Sequence, residues 1–337
     1  MQIKFDIWFN RTHHAYIVNN YASKLKTVSV VGARGYSGLE LVKLLLKHES
    51  VKLTHCFATQ EFSLDGEIFD STVKSVVCLK DSELMKNLTD IVFLATPPEV
   101  STELAPQIIK ARKKVIDLSH AFRGQAEYGL VPFVGPVKPE TQLIANPGCY
   151  ATAISLALIP LVKNGLIDLN HIVIDAKSGT TGAGKKASEN LLFSEVDGEC
   201  RPYRVGQHQH LPEIHAAVER WGGSAVDLHM STHLLPTKRG ISAAIYATAK
   251  TENIAEIANA YNKTFADYPL VQHGSNLEKL ASLSKVVGTP RTHISYELIE
   301  KKLYVFSLID NLLKGAASQA VENLNRFLDL QPSTHLL

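Results

Sequence analysis

The sequence predicts an α/β protein: a first domain built on a parallel sheet, then an α+β unit on a mixed sheet. Three observations carry that prediction. Short apolar or β-branched stretches recur through the first half, at "TVSVV" (27–31), "VKLTHCFAT" (51–59), "DIVFLATPP" (90–98), "KKVIDLS" (113–119) and "TQLIANPG" (141–148). Helical spacing separates several of them, as at Leu39, Val42, Leu45 and Leu46 or across residues 99–112. Strands alternating with helices make a parallel sheet with its ligand site at the strand ends. The second observation is a glycine series that directly follows the first strand and opens a helix. The third is a change of pattern after Cys149, where one apolar helix (from about Ala151 to Asn164) leads to "HIVIDAKSG", "VDLHMSTHLLP", "ISAAIYATAK" and "KKLYVFSLI". These read as strands, the middle two joined by the turn-rich "TKRG". The amphipathic helix "NLLKGAASQAVENLNRFLDL" closes the chain and is expected to pack back on the first domain.

Composition removes several function classes. The 337 residues suffice for two domains, and the 35 Lys and Arg against 33 Asp and Glu leave a net charge of only +2. Neither nucleic acid nor an anionic membrane has an electrostatic handle on such a chain, and no apolar stretch approaches the length of a membrane span. Four scattered cysteines (Cys56, Cys78, Cys149, Cys200) form no Cys-x-x-Cys pair, which fits a reducing, cytoplasmic setting rather than a disulfide framework. Residues 1–26 lack the order of a secretory signal and read as an N-terminal extension.

The glycines are Gly32, Gly35 and Gly38, at G-x-x-G-x-x-G spacing. In a strand-to-helix turn they let backbone N–H groups approach a pyrophosphate, so the first domain (27–148) reads as Rossmann-like and dinucleotide-binding. An acidic residue that would grip a ribose 2′-hydroxyl is missing at the end of the second strand, where Thr59 and Gln60 stand and Glu61 comes late. The site is therefore expected to prefer NADP, with Arg34, Thr59 or Ser63 as candidate ligands of a 2′-phosphate. A plain structural turn is the bland alternative.

"ANPGCYATAIS" (145–155) sets Cys149 at a helix start, where unpaired N–H groups and the helix dipole are expected to keep sulfur ionised. A nucleophile needs a base, and "YRVGQHQHLPEI" offers His208 and His210, which in extended chain point to opposite sides. No third ligand stands close enough to make that pair a metal site, so none is expected. "KSGTTGAGKK" (177–186) is rich in free backbone donors, but Lys185 is followed by Lys186 and the P-loop pattern is not met. "DLSHAFRG" brings Ser119 and Arg123, the latter suited to a phosphate or merely to a surface loop.

Taken together, "GARGYSG" (32–38), "DLSHAFR" (117–123), "NPGCYATA" (146–153), "SGTTGAGK" (178–185), "HQHLPEI" (208–214), "HLLPTKRGI" (233–241) and "DNLLKGAASQAVEN" (310–323) resemble the N-acetyl-γ-glutamyl-phosphate reductases, NADP-dependent enzymes of arginine biosynthesis within the semialdehyde dehydrogenase group. The resemblance runs from residue 27 to about 328. It implies that Cys149 is the nucleophile and a histidine of the pair the acid/base, His208 being preferred and His210 the alternative. It further implies Ser119, Arg123 and His210 near the substrate. Near the cofactor it implies Gly32, Arg34, Gly35, Tyr36, Ser37, Gly38 and Thr59 of the first loop region, with Ser178, Gly179, Gly182, Asn311 and Lys314. Residues 149–309 would then be the catalytic domain, 310–337 the closing helix, and the protein a homo-oligomer (dimer or tetramer) acting on a small acyl phosphate. The helix-opening proline of the family is Ala151 here, His-Arg-His is His-Gln-His, and the acid usual at position 121 is absent. The alternatives are an aspartate-semialdehyde dehydrogenase-like reductase, a neighbour in chemistry, and a non-catalytic NADP-binding regulator.

Overall fold

A computed structural model describes residues 25–68 and 71–337; the expectation for the N-terminal extension otherwise lies outside the described residues. The first sheet contains β1 (Lys26–Val31), β2 (Val51–Ala58), β3 (Val77–Lys80), β4 (Ile91–Leu94), β5 (Lys114–Asp117), β6 (Glu127–Tyr128) and β7 (Leu143–Ala145). Their order is β3-β2-β1-β4-β5-β7-β6 and every ladder is parallel. Val28, Val30 and Val31 of β1 and Val92, Phe93 and Leu94 of β4 are wholly buried, as strands covered on both faces must be. The covering helices include α1 (Tyr36–Leu46), which buries Leu41, Val42 and Leu45, and α2 (Pro98–Lys110). Strand order reverses between β1 and β4, so a crevice opens at their carboxyl ends.

The second sheet is mixed. It holds β8 (Ile172–Ser178), β9 (Arg201–Tyr203), β10 (Leu228–Leu234), β11 (Ile241–Thr248), β12 (Val271–Gly274), β13 (Thr292–Ile299) and β14 (Lys302–Ile309), ordered β12-β13-β14-β11-β8-β10-β9. The strands flanking "TKRG" do not pair with each other. β8 lies between them, parallel to β10 and antiparallel to β11. One face carries α3 (Cys149–Lys163), buried without a break from Tyr150 to Val162 because α5 (Leu211–Gly222) and α6 (Ile254–Phe265) close over it. The four-residue helices α4 (Phe193–Val196) and α7 (Leu277–Leu280) punctuate the loops.

The last helix, α8 (Ser318–Phe327), departs from the usual surface amphipath. Its polar side is buried as well, through Ser318, Gln319, Glu322, Asn323, Asn325 and Arg326. It packs on α1 and β5 of the first domain. Most of those polar groups find internal partners, although among the described residues the Ser318 hydroxyl and the Gln319 Oε1 have none. Asn323 Nδ2 donates to Gly129 O and to Asn146 Oδ1, both at 3.0 Å, and Arg326 Nη2 reaches Glu127 Oε1 at 2.5 Å. Periodicity reports two unlike helix faces; it does not say that the polar one meets water.

Candidate active site

A cleft of about 960 Å³ is lined by the α1 loop, residues 118–123, Cys149, the 178–186 loop and both histidines of the His-x-His pair. Of the residues singled out in the sequence, Gly35, Tyr36, Ser37, Gly38, Ser119, Arg123, Cys149, Ser178, Gly179, Gly182, His208, His210 and Asn311 line it. Residues from both halves of the chain thus meet in one cavity.

Cys149 is the first residue of α3, and Gly148 caps the helix without a side-chain hydrogen bond. Two glycines make room around it. A Cβ on Gly148 would fall 2.4 Å from His210 Nε2 and 2.7 Å from Arg123 Nη1, and one on Gly315 would fall 2.7 Å from Cys149 Cβ. Glu213, on the first turn of α5, fixes this turn: its carboxylate accepts from Gly148 N at 2.8 Å, from the Tyr128 hydroxyl at 2.5 Å and from Arg123 Nη1 at 3.1 Å. Arg123 also donates from Nε to Asn146 O and from Nη2 to Leu118 O, each at 3.0 Å. Its side chain is 10% exposed, which excludes the surface-loop reading. Three of five N–H groups are engaged, so one on each terminal nitrogen remains for a ligand. Ser119 offers less than expected. Its hydroxyl donates to Asp117 Oδ2 at 2.8 Å and accepts from Ala121 N at 3.1 Å, which leaves no hydroxyl proton for a phosphate oxygen.

The histidines differ in their lone pairs. His208 Nδ1 accepts the backbone N–H of His210 at 3.2 Å, so its neutral ring carries the proton on Nε2 and acts as a donor. His210 Nδ1 is buried without a partner, and its Nε2 faces the Gly148 turn. The ring that faces the cysteine turn is therefore His210, whereas the sequence-based preference is for His208. His208 stands edge-on to Tyr150 at 5.0 Å between ring centroids, and Tyr150 shares a 2.9 Å hydroxyl contact with Tyr203.

The electrostatics also correct an expectation. Burial pushes the Cys149 thiol up to about 11, against the opposing pull of the Tyr150 N–H and Arg123. The helix start does favour the thiolate, but desolvation outweighs it, and the nearby Glu213 carboxylate works in the same direction as burial. Burial likewise lowers His208 to about 4 and His210 well below its usual range. At neutral pH the resting pair is thiol and neutral imidazole.

Comparison with known proteins gives the family. Residues 27–144 match the family description "Semialdehyde dehydrogenase, NAD binding domain", and residues 149–311 match "Semialdehyde dehydrogenase, dimerisation domain". A Streptococcus thermophilus protein named N-acetyl-gamma-glutamyl-phosphate reductase is 40% identical over 325 residues, 88% of this chain and 94% of that one. A protein of the same name from Clostridium botulinum is 35% identical over 339 residues, 92% and 97% of the two chains. The chain belongs to the N-acetyl-γ-glutamyl-phosphate reductase family. In fold it is similar to the crystal structure of aspartate semialdehyde dehydrogenase II from Vibrio cholerae complexed with ASA (TM-score 0.74, 17% identity, covering 91% of this chain and 99% of that one).

Reductases of this family use a nicotinamide cofactor, and the first loop fits one. Gly32 has φ +81°, and a Cβ there would lie 2.3 Å from Ala95 O; one on Gly38 would lie 2.2 Å from Gly32 O. These two glycines let the loop fold tightly onto the strand ends, and α1 then begins at Tyr36 with no side-chain cap on its free N–H groups. Gly32 itself is not among the residues that line the cleft. Arg34 faces a separate small recess beside Phe62 and Ser63, and Thr59 is exposed at the end of β2. Glu61 is held on the surface by Lys80 at 3.0 Å. Asn311 takes the Gly240 N–H at 2.8 Å and donates to Thr181 at 3.1 Å, bracing the second glycine loop from the cleft wall.

Lys314 is a correction. It does not reach the cleft: a π-helical turn (Leu313–Ala317) sets Gly315 against Cys149 and sends Lys314 inward, wholly buried, to Glu322 at 2.7 Å and to the Tyr268 hydroxyl. Glu213, Tyr150 and Tyr203 were not singled out as site residues from the sequence. Glu213 had a signal, since it sits in the quoted "HQHLPEI".

Proposed function

We propose that this protein reduces N-acetyl-γ-glutamyl phosphate to the 5-semialdehyde with release of phosphate, through a thioester on Cys149. The observation that carries the reading is the meeting, in one cleft, of a helix-start cysteine, a histidine facing its turn, a half-engaged arginine and a dinucleotide-type loop. Cys149 attacks the acyl carbon as His210 takes the thiol proton, so neither charge has to exist before substrate arrives. The N–H of Cys149, at the uncapped start of α3, faces the oxygen on which negative charge develops. The C–O bond to phosphate then breaks, and the two unengaged N–H groups of Arg123 suit the departing anion. Gly35, Tyr36, Ser37, Gly38, Ser178, Gly179 and Gly182 would hold a reduced nicotinamide, which would supply the hydride needed to take the thioester to the aldehyde. Cys149 leaves in that step and recovers its proton from His210. The test is the reverse assay with N-acetylglutamate semialdehyde, phosphate and NADP. Turnover that needs phosphate and is absent with aspartate semialdehyde supports the reading; turnover only with the aspartate compound overturns it.

Two expectations follow for individual residues. His210→Asn should lower kcat by roughly 10²–10⁴-fold, the usual weight of a general base, while His208→Asn should cost about tenfold or less. Steady-state kinetics of both variants decide it, and the reverse ranking restores His208 to the role. For the cofactor, the missing acid at the end of β2, with Arg34 and Ser63 side by side, favours NADP over NAD. Arg34→Ala should raise the KM for NADP about 10–100-fold, the range of a lost charge-assisted hydrogen bond, and leave the KM for NAD unchanged. Equal effects on both cofactors would remove Arg34 from the 2′-phosphate site. The match of residues 149–311 to a dimerisation domain supports a homodimer or a tetramer as the working form.

A further inference from the structure

We propose that the outer end of the β8–β10 ladder is a surface site for a divalent transition cation such as Zn²⁺, held by His171, Asp227 and His229. Among the described residues this is the one grouping in which three His, Cys, Asp or Glu donors converge, with all ligand atoms within 4.8 Å of one another. The register produces it. Leu228 pairs with Ile172 and His229 with Val173 in a parallel ladder, so Asp227 and His171 are neighbours just before it and His229 follows two residues on, on the same face. The Asp227 carboxylate is the centre: Oδ2 lies 3.6 Å from His171 Nδ1 and 3.9 Å from His229 Nε2. Both distances are too long for hydrogen bonds. They are close to the ~3.3 Å that separates two donors on one tetrahedral ion with ligand distances of about 2.0–2.1 Å.

Local backbone geometry holds the carboxylate in place. His171 adopts φ +55°, and its N–H points to Asp227 Oδ2 at 3.4 Å while Ile172 N–H donates to Asp227 O at 3.0 Å. The two imidazoles stack at 6.0 Å between centroids and, among the described residues, neither facing nitrogen has a hydrogen-bond partner. All three side chains are exposed, so side-chain rotations can close the set without disturbing packing. Two imidazoles and one carboxylate suit zinc, nickel or copper far better than magnesium or calcium, and water completes the coordination. The site is separate from Cys149 and the His-x-His pair, and the proposal does not rest on the catalytic reading.

Calorimetric titration of the full chain with ZnCl₂ tests it. One equivalent should bind with low-micromolar Kd, His229→Ala, Asp227→Asn and His171→Asn should each weaken it at least tenfold, and Cys149→Ser should leave it unchanged. Asn tolerates the left-handed backbone at position 171, so that variant keeps the turn. Loading with Co²⁺ gives a second readout, a spectrum without a thiolate charge-transfer band. Reductase activity of the three variants, measured without zinc, should equal wild type. Binding that survives in all three variants, or that vanishes in Cys149→Ser, overturns the proposal.

Discussion

Cys149→Ser is expected to lower turnover in both directions by roughly four orders of magnitude, the scale on which loss of a covalent nucleophile is felt. The hydroxyl is far less acidic than the thiol, and the imidazole that faces the turn, His210, is made weakly basic by burial. A serine ester, once formed, also gives up its alkoxide less readily than a thioester gives up sulfur. Intact mass after mixing with acyl phosphate, without reduced cofactor, should show an acyl adduct on wild type and none on the variant. A companion measurement addresses the thiol itself. Because the folded protein holds Cys149 up to about 11, thiolate is scarce at neutral pH, and iodoacetamide should react ever faster as pH rises to 10, without a plateau. A plateau below pH 7 would mean that a resting thiolate–imidazolium pair exists after all. Variants of the partly buried Cys78 and the exposed Cys200 remove background labelling without touching the cleft.

Much of this site is readable from sequence wherever chemistry and backbone need coincide in a few consecutive residues. Gly32 and Gly38 announce themselves because a left-handed φ and a helix jammed against a strand end both require glycine, and their spacing is fixed by one turn. Cys149 is legible for a similar reason, as a helix start after Pro-Gly. What the sequence hides is direction. Asn311 and Lys314 stand three residues apart, yet one lies on the cleft wall while a π turn that begins at Leu313 sends the other into a buried cluster with Tyr268 and Glu322. His208 and His210 look equivalent until one ring nitrogen is found to be spent on a backbone N–H. The polar side of α8 gives no hint that Gly129, Asn146 and Glu127, nearly two hundred residues earlier, are its partners. The ionisation of Cys149 escapes the sequence because a dipole can be inferred from local sequence, whereas desolvation depends on everything that folds over the residue.

Glu213 combines both kinds of information, and its removal should show it. Its carboxylate joins three parts of the chain, the turn before Cys149, the guanidinium of Arg123 and the hydroxyl of Tyr128, in a pair whose side chains are 10% and 6% exposed. Glu213→Ala leaves a buried guanidinium without its counter-charge and a buried N–H without an acceptor, a loss of about 3–5 kcal/mol. For a chain of this size that is a fall in Tm of roughly 4–7 °C. Glu213→Gln separates positioning from stability. The amide oxygen can still accept from Gly148 or Tyr128, so most of the Tm should return, but Arg123 is no longer neutralised. Two kinetic consequences follow in opposite directions. With Nη1 released, the phosphate-bearing substrate should bind at least as tightly, so its KM stays level or falls. The freed arginine then sits where the ground-state anion, rather than the departing one, holds it, and kcat should fall about 10–100-fold. The thiol gives a third readout. Glu213 is one of the influences that raise the Cys149 pKa, so its neutralisation should move the alkylation profile toward lower pH. A variant that loses stability and kcat together, with KM and the alkylation profile both unmoved, would reduce Glu213 to scaffolding.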